Sequence, residues 1–270
     1  MAVLSAATTR QTVRQLSARE ATGVLLSRNV LVYRRGWLWF VTGFLEPVLF
    51  LLSLGIGVGK LIPGFEVDGH QVPYAEFVAP AMLAASAMNG ALIDTTFGVF
   101  FRLKYQKLYE QMLATPLTTR DIARGEISWA LLRGAVYATV FLLVMLALDL
   151  VGSWWALLAV PAALLIGFAF AGACMALTTW MRTWQDFEFI TLGQLPLFLF
   201  SATFFPLTAY PEALRWVVEA TPLYRGVVLE RELTTGHLTV ASLVSVAYLL
   251  AMGLIGMRIV SRRLERLLLT

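Results

Sequence analysis

Six stretches of this chain, 37–58, 77–100, 127–148, 155–180, 189–207 and 238–257, are apolar over about 20 residues each. An α-helix needs about that length to cross the roughly 30 Å hydrocarbon core of a bilayer at 1.5 Å per residue. Backbone amides at that depth have no water to bond, so they need partners inside the protein. The expected fold class is therefore all-α, an integral membrane protein with six transmembrane helices. Composition agrees. Hydrophobic residues make up 59% of the chain and charged residues 14%, against roughly 45–50% and about 25% in soluble domains.

The basic residues cluster at the ends of the apolar runs. Six arginines precede the first run, Arg102, Lys104, Lys107, Arg120 and Arg124 lie between the second and third, Arg182 follows the fourth, and Arg258, Arg262, Arg263 and Arg266 follow the sixth. Those connections hold 16 lysines and arginines, while Lys60, Arg215, Arg225 and Arg231 on the other side make four. Basic loops stay cytoplasmic, which places both termini inside. The same distribution speaks against nucleic acid, since the positive charge is not spread through soluble segments interleaved with exposed aromatics. Residues 1–20 lack an apolar core and a small-residue cleavage site, so no removable signal peptide is expected.

The chain divides into a tail with an interfacial helix (1–36), a membrane domain (37–257) and a basic tail (258–270). In the first, Ser17 and Glu20 form a capping box, and Ala21, Val24, Leu25, Leu31 and Val32 recur at helical spacing. This pattern fits an amphipathic helix lying on the membrane face with Arg28 snorkelling to headgroups. Between the fifth and sixth runs, Pro211 and Pro222 stand where first helical turns begin, Thr221 is a ready cap and Gly236 a stop. The two pieces, within 211–233, are too short to span. They read as a re-entrant helix pair dipping into the outer leaflet.

Catalytic patterns are missing. The string GIGVGK, 55–60, has Leu54 where a phosphate loop needs glycine and Leu61 where it needs serine or threonine. His70 and His237 are the only histidines, no second His or Cys sits at metal spacing, and Cys174 is the one cysteine. No metal site is expected. Three charges fall inside apolar runs, where a lone charge costs at least about 2.5–3.5 kcal/mol. Asp94 and Arg133 read as structural, paired with each other or snorkelling. Glu46, beside Pro47, is the better candidate for a substrate path or a subunit contact. Phe198 and Phe204 could line a hydrophobic route or simply pack.

The segment 101–126, between the second and third runs, is charged and broken by proline. Tyr109, Met112 and Leu113 share one helical face with Lys104, Lys107 and Glu110 around it, Pro116 ends the turn, and Thr118 with Asp121 caps the helix that follows. An exposed apolar face rimmed by charge is expected to meet a partner.

FGVFFRLKYQKLYEQMLATPLTTRDIARGE and LPLFLFSATFFPLTAYPEALRWVVEATPLYRGVVLERELTTG resemble permease subunits of ABC transporters of the transmembrane type-2 class, in particular the NodJ and lipooligosaccharide-export branch, as does FLEPVLFLLSLGIGVG. The resemblance implies an exporter half in the cell's inner membrane that is not an enzyme by itself. ATP and Mg would sit on a separate nucleotide-binding subunit, with a second permease, identical or paralogous, completing the assembly. It implies that Tyr109, Met112, Leu113, Thr115, Pro116, Leu117 and Glu126 serve coupling to that ATPase, with Glu126 structural or coupling. It also implies that Pro206, Pro211, Pro222, Tyr224 and Arg225 belong to the outer gate. The cargo would be a lipid-linked glycan or other amphiphile, or alternatively a drug. A proton-coupled secondary transporter would show repeated spans, and none is evident.

Overall fold

The computed structural model describes residues 17–34, 38–62, 64–67 and 70–269. The tail arginines Arg10 and Arg14, Arg35 and the first residue of the first apolar run, Trp37, lie outside the described residues. Helix α1 (Ala18–Tyr33) opens with the expected capping box: the Ser17 hydroxyl accepts from the Glu20 amide at 3.3 Å, and the Ser17 amide donates to Glu20 Oε2 at 2.9 Å. The Ser17 amide and the Ser17 hydroxyl, which also donates to Glu20 Oε2 at 2.9 Å, hold the Glu20 carboxyl below its ordinary range. Ala21, Leu25 and Asn29 are buried on one face while Val24, Leu31 and Val32 are exposed. One edge of α1 therefore packs on the protein, and the other presents the apolar side chains of Val24, Leu31 and Val32 outward.

Helix α2 (Leu38–Leu52) contains Pro47 and continues through a π-helical turn, Ser53–Gly57, and a 3-10 turn, Val58–Lys60. The GIGVGK string is thus helical, and a Cβ at Gly55 would lie 3.3 Å from that of Ala75, so this glycine serves close packing. A short hairpin, β1 (Phe65–Val67) with β2 (His70–Val72), pairs Glu66 with Gln71. It is an addition to the all-α expectation, too brief to show as alternation in the sequence.

Helix α3 (Tyr74–Ile93) runs on through two π-helical turns, Asp94–Gly98 and Phe101–Tyr105. Lys107 then takes a left-handed conformation, φ 49°, and reverses the chain into α4 (Leu108–Leu113). Helix α5 (Thr119–Ala147) follows, then α6 (Ala159–Thr178), α7 (Phe187–Leu199), α8 (Glu212–Ala220), α9 (Pro222–Thr235) and α10 (Val240–Leu268). Among the described residues four helices are long and apolar enough to cross a membrane: Tyr74–Tyr105, Thr119–Ala147, Trp154–Thr178 and Val240–Leu268. The first, second and fourth extend past the apolar runs that announced them, because capping and backbone bonding carry a helix on after hydrophobicity stops. At 29 residues, α10 reaches about 44 Å, well beyond the hydrocarbon.

The fifth apolar run differs from expectation. Its helix, α7, ends at Leu199 after 13 residues, beyond which Phe200–Phe205 bends irregularly and Ala202 adopts φ 52°. Pro206 and the Ser201 and Thr203 hydroxyls, which bond back to Leu197 and Phe198 carbonyls, explain the stop. Helix α6 is the central element, packed against α3, α5, α9 and α10. Its contact with α10 is backbone on backbone: a Cβ on Gly256 would sit 2.3 Å from the Gly172 carbonyl carbon. Small residues permit such approach where no hydrophobic force drives helices together.

Candidate functional site

The segment between α3 and α5 is short and fixed at both ends. Thr118 N donates to Asp121 Oδ2 at 3.1 Å, Thr118 Oγ1 to the same oxygen at 2.6 Å, and Asp121 N back to Thr118 Oγ1 at 3.2 Å. Thr115 Oγ1 donates to the Met112 carbonyl at 2.6 Å and closes the turn before Pro116. The expected exposed apolar face is not there. Tyr109 is fully buried, Met112 nearly so and Leu113 half-buried, with Leu117 packed against the same core of Leu103, Ile122, Ala123 and Ile127. The left-handed Lys107 folds α4 back beneath its own helices, so its apolar stripe satisfies itself. Outward go Tyr105, Lys107, Glu110, Gln111, Ala114, Thr115 and Pro116, a mostly polar face.

Behind α4 the buried charges converge. Arg102, in the second π-turn, pairs with Glu126 of α5, and both side chains are buried. Arg28 of α1 adds its field to Glu126; burial lowers the Arg28 guanidinium and the carboxylate opposes that shift. The Tyr109 hydroxyl faces Glu126 and Arg102, and burial pushes its phenol well above the usual value, so it remains protonated. The preceding glycine has its own task. A Cβ on Gly125 would meet Leu25 Cδ1 at 2.4 Å, so only glycine lets α1 lie this close to α5. Tyr33 of α1 meets Trp129, one turn beyond Gly125 on α5, ring centroids 5.0 Å apart.

Two turns further along α5, Arg133 Nη2 lies 2.6 Å from Asp94 Oδ1 of α3, the pairing expected from their positions. The two ion pairs form a crossed ladder. Acid precedes base along the α3 run (Asp94, Arg102), acid precedes base along α5 (Glu126, Arg133), and antiparallel helices bring opposites together. A slip of either helix would set like charges face to face.

A second region lies nearer the start of α3, between α2 and α7. Glu46 of α2 is exposed and borders a groove of about 250 Å³ shared with Asn89 of α3 and with Gln194 and Phe198 of α7. Gln194 Nε2 donates to Asn89 Oδ1 at 2.9 Å. Phe204 stands behind the wall, edge-on to Phe198 at 5.3 Å. Sequence reasoning named Glu46 and the phenylalanines and missed the amides. The spacing of Ser86 with Asn89, and of Thr191 with Gln194, put polar side chains one turn apart in otherwise apolar helices and would have found them.

At the opposite end from α4, Pro211 and Pro222 precede or open α8 and α9 as expected, and Thr221 Oγ1 accepts from the Tyr224 amide at 3.4 Å. Gly236 ends α9 at φ 85°. Pro206 and Tyr224 line a cavity of about 490 Å³, with His237 on its edge. Arg225 lies over the Tyr224 ring at 5.8 Å. The residue sequence reasoning overlooked is Arg231. It donates to the Phe77 carbonyl at 3.2 Å and the Ala202 carbonyl at 3.0 Å, and lies 3.8 Å from the centroid of the Phe77 ring. It thereby ties α9 to the first turns of α3 and to the irregular exit from α7.

With these sites in place, the comparison with known proteins is specific: the family model described as ABC-2 type transporter matches residues 20–233, most of the chain. The chain belongs to the ABC-2 type transporter family. It is 34% identical over 213 residues to Nodulation protein J of Rhizobium leguminosarum bv. viciae, covering 78% of this chain and 80% of that protein. It is 33% identical over 207 residues to Nodulation protein J of Sinorhizobium fredii (strain NBRC 101917 / NGR234), covering 76% and 77%. A shorter match, 27% over 103 residues, covers 38% of this chain and 40% of Inner membrane transport permease YadH of Escherichia coli (strain K12). This ABC-2 chain is therefore an integral membrane component of transport, and both the α4 segment and the Glu46 groove lie inside the matched region.

Proposed function

We propose that this ABC-2 protein is the permease half of an ATP-driven exporter that moves a lipid-linked glycan or similar amphiphile outward across the inner membrane. The observation that carries the reading is the ladder behind α4, because it ties a surface segment to α5 and to α3, and α3 in turn lines the Glu46 groove. A separate nucleotide-binding subunit, holding ATP and Mg, would dock on the exposed residues of α4 and its turn. Its closure would then be transmitted along α3 and α5 as a rigid-body movement. A second permease, identical or paralogous, would complete the path on the open side of the groove.

In this reading all six apolar runs cross the membrane, with both termini cytoplasmic. The first does so as the continuous helical stretch 38–60, about 35 Å at 1.5 Å per residue. The fifth does so as α7 completed by the bent segment 200–206, where the Phe200 amide donates to the Pro196 carbonyl and the Ala202 carbonyl accepts from Arg231, internal partners of the kind that non-helical backbone at depth requires. Helices α8 and α9 form the re-entrant pair. Gly226 of α9 packs on Ile166, about 18 Å along the helical run that starts at Trp154, while the Thr234 carbonyl accepts from Gly152 at the outer end. That inclination supports a hairpin that enters and leaves by one face. The groove, with a carboxylate and two amides against phenylalanine and leucine, suits a cargo with a hydrogen-bonding head and an apolar tail.

The test is reconstitution of the chain with and without a nucleotide-binding ATPase subunit of an ABC transporter from the same source. ATP hydrolysis stimulated by the permease, and cargo movement only when both are present, is the expected outcome. Transport by the chain alone, driven by a proton gradient, would refute the reading.

A further inference from the structure

One concentration of charge takes no part in the ladder. Arg120 and Arg124, one turn apart at the start of α5, and Arg258 and Arg262, one turn apart on α10, line one groove of about 330 Å³ whose floor is Leu254 and Met257. All four arginines are exposed. Arg124 makes a long contact with Asp121, 3.8 Å, and Glu265 is the one acid on the groove wall. Among the described residues, Arg120, Arg258 and Arg262 have no ion pair, hydrogen bond or ring contact. Their neighbour Arg263 shows the alternative: it donates to the Thr179 carbonyl at 3.4 Å and lies 4.6 Å from the Trp180 ring centroid. Four guanidiniums gathered from distant parts of the chain against one carboxylate repel one another, and an anion placed between them would offset that repulsion.

The height of the groove selects the anion. Arg258 lies 18 residues along α10 from Val240, about 27 Å, which is where a roughly 30 Å hydrocarbon core gives way to headgroups. Leu254 is one turn further in, 54% exposed, and continuous with the outward apolar residues Leu250 and Ile255. A soluble anion has no use for that floor, and an acidic protein surface cannot reach it through lipid. A phosphodiester with acyl chains uses both parts, since guanidinium forks match phosphate oxygens and the chains extend along α10.

We propose that the groove between the start of α5 and the last turns of α10 binds one anionic phospholipid, its phosphate held by Arg120, Arg258 and Arg262 and its acyl chain lying on Leu254 and Met257. The exporter reading is needed only to assign the lipid to the cytoplasmic leaflet. Lipid binding itself does not depend on it.

The experiment is native mass spectrometry of the delipidated full chain titrated with dioleoyl phosphatidylglycerol, dioleoyl phosphatidylcholine or glycerol phosphate. The expected result is one tightly held phosphatidylglycerol, with the zwitterionic lipid and the chainless phosphate both much weaker. The triple variant R120Q/R258Q/R262Q should bind phosphatidylglycerol on the order of a hundredfold more weakly, since each arginine near a membrane surface contributes about one factor of five. Arg182→Gln, on the α6–α7 connection, should not change it. Equal retention of the two lipids, equal binding of glycerol phosphate, or unchanged retention by the triple variant each overturns the proposal. A second measurement needs no variant: phosphatidylglycerol with a photoreactive acyl chain should label residues 250–258 of the wild-type chain. Labelling confined to other helices overturns the proposal as well. So does a triple variant that loses only its ATPase partner while keeping its lipid, because the groove would then be a protein contact.

Discussion

At the scale of single residues, the pair Arg102–Glu126 behaves as a unit. Removing one partner strands the other charge in the interior, a loss of about 3–5 kcal/mol, whereas replacing both by apolar groups of similar volume is often neutral. Glu126→Leu and Arg102→Leu should therefore each lower the thermal midpoint of the purified chain sharply, and the double variant should recover most of that loss. A double variant as unstable as the worse single one would show that the pair is not the unit argued for. How much of this could be read beforehand follows from geometry. Asp94 and Arg133 were legible as partners because each stood alone in an apolar run, where an unpaired charge is costly. Glu126 was not, since its partner lies 24 positions away in a segment that reads as solvated. The burial of Tyr109 and Met112 was misread for the same cause: periodicity shows that a helix has an apolar face but not what that face meets.

At the scale of elements, the corrected orientation of α4 changes which substitutions test coupling. Charging Met112 would put an ion into the core and unfold the hub, so it cannot separate docking from folding. Glu110 and Gln111 are exposed on the opposite face. Glu110→Arg combined with Gln111→Arg should leave the melting temperature within about a degree, as surface changes usually fall within about 0.5 kcal/mol, while abolishing stimulation of the partner's ATP hydrolysis. Full stimulation by that variant would place the docking surface elsewhere. The short α7 permits a parallel argument. A run of 19 apolar residues announced a complete helix, and the sequence concealed that hydroxyls at 201 and 203 would turn back on the backbone. What holds the bent exit is Arg231, through two carbonyls. Hydrogen bonds to a charged donor are worth about 1.5–3 kcal/mol. Arg231→Gln should accordingly raise amide exchange across 199–206 by roughly ten- to a hundredfold with α5 and α6 unchanged; exchange that rises everywhere would mean the arginine supports the whole fold.

For the whole molecule, the α4 end of the ladder and the Glu46 groove stand apart along one shared helix, α3 with its π-helical continuation. Asp94 at the ladder's other end is five residues, about 8 Å, from Asn89 and belongs to neither group of variants, whereas from Asn89 in the groove wall to Arg102, at the α4 end of the ladder, is 13 residues of continuous helical run, about 20 Å. Effects of substitutions that far apart, with no common partner, are expected to be independent. That separation distinguishes a power-transmitting part from a cargo-contacting part within one chain. Variants of the groove, Glu46→Ala and Gln194→Leu, should bind cargo less well and cut transport by roughly tenfold or more, while the partner's ATP hydrolysis stays stimulated by the permease. Variants of the α4 surface should lose transport and stimulated hydrolysis together, because the stroke no longer reaches α3 and α5. Measuring both rates on the same reconstituted vesicles plots each variant as a point, and the two groups should fall on different lines. If groove and α4 variants scatter along one line, so that hydrolysis and transport always fall in proportion, cargo contact is itself part of the power stroke. The ladder would then be a support for the fold and not a lever.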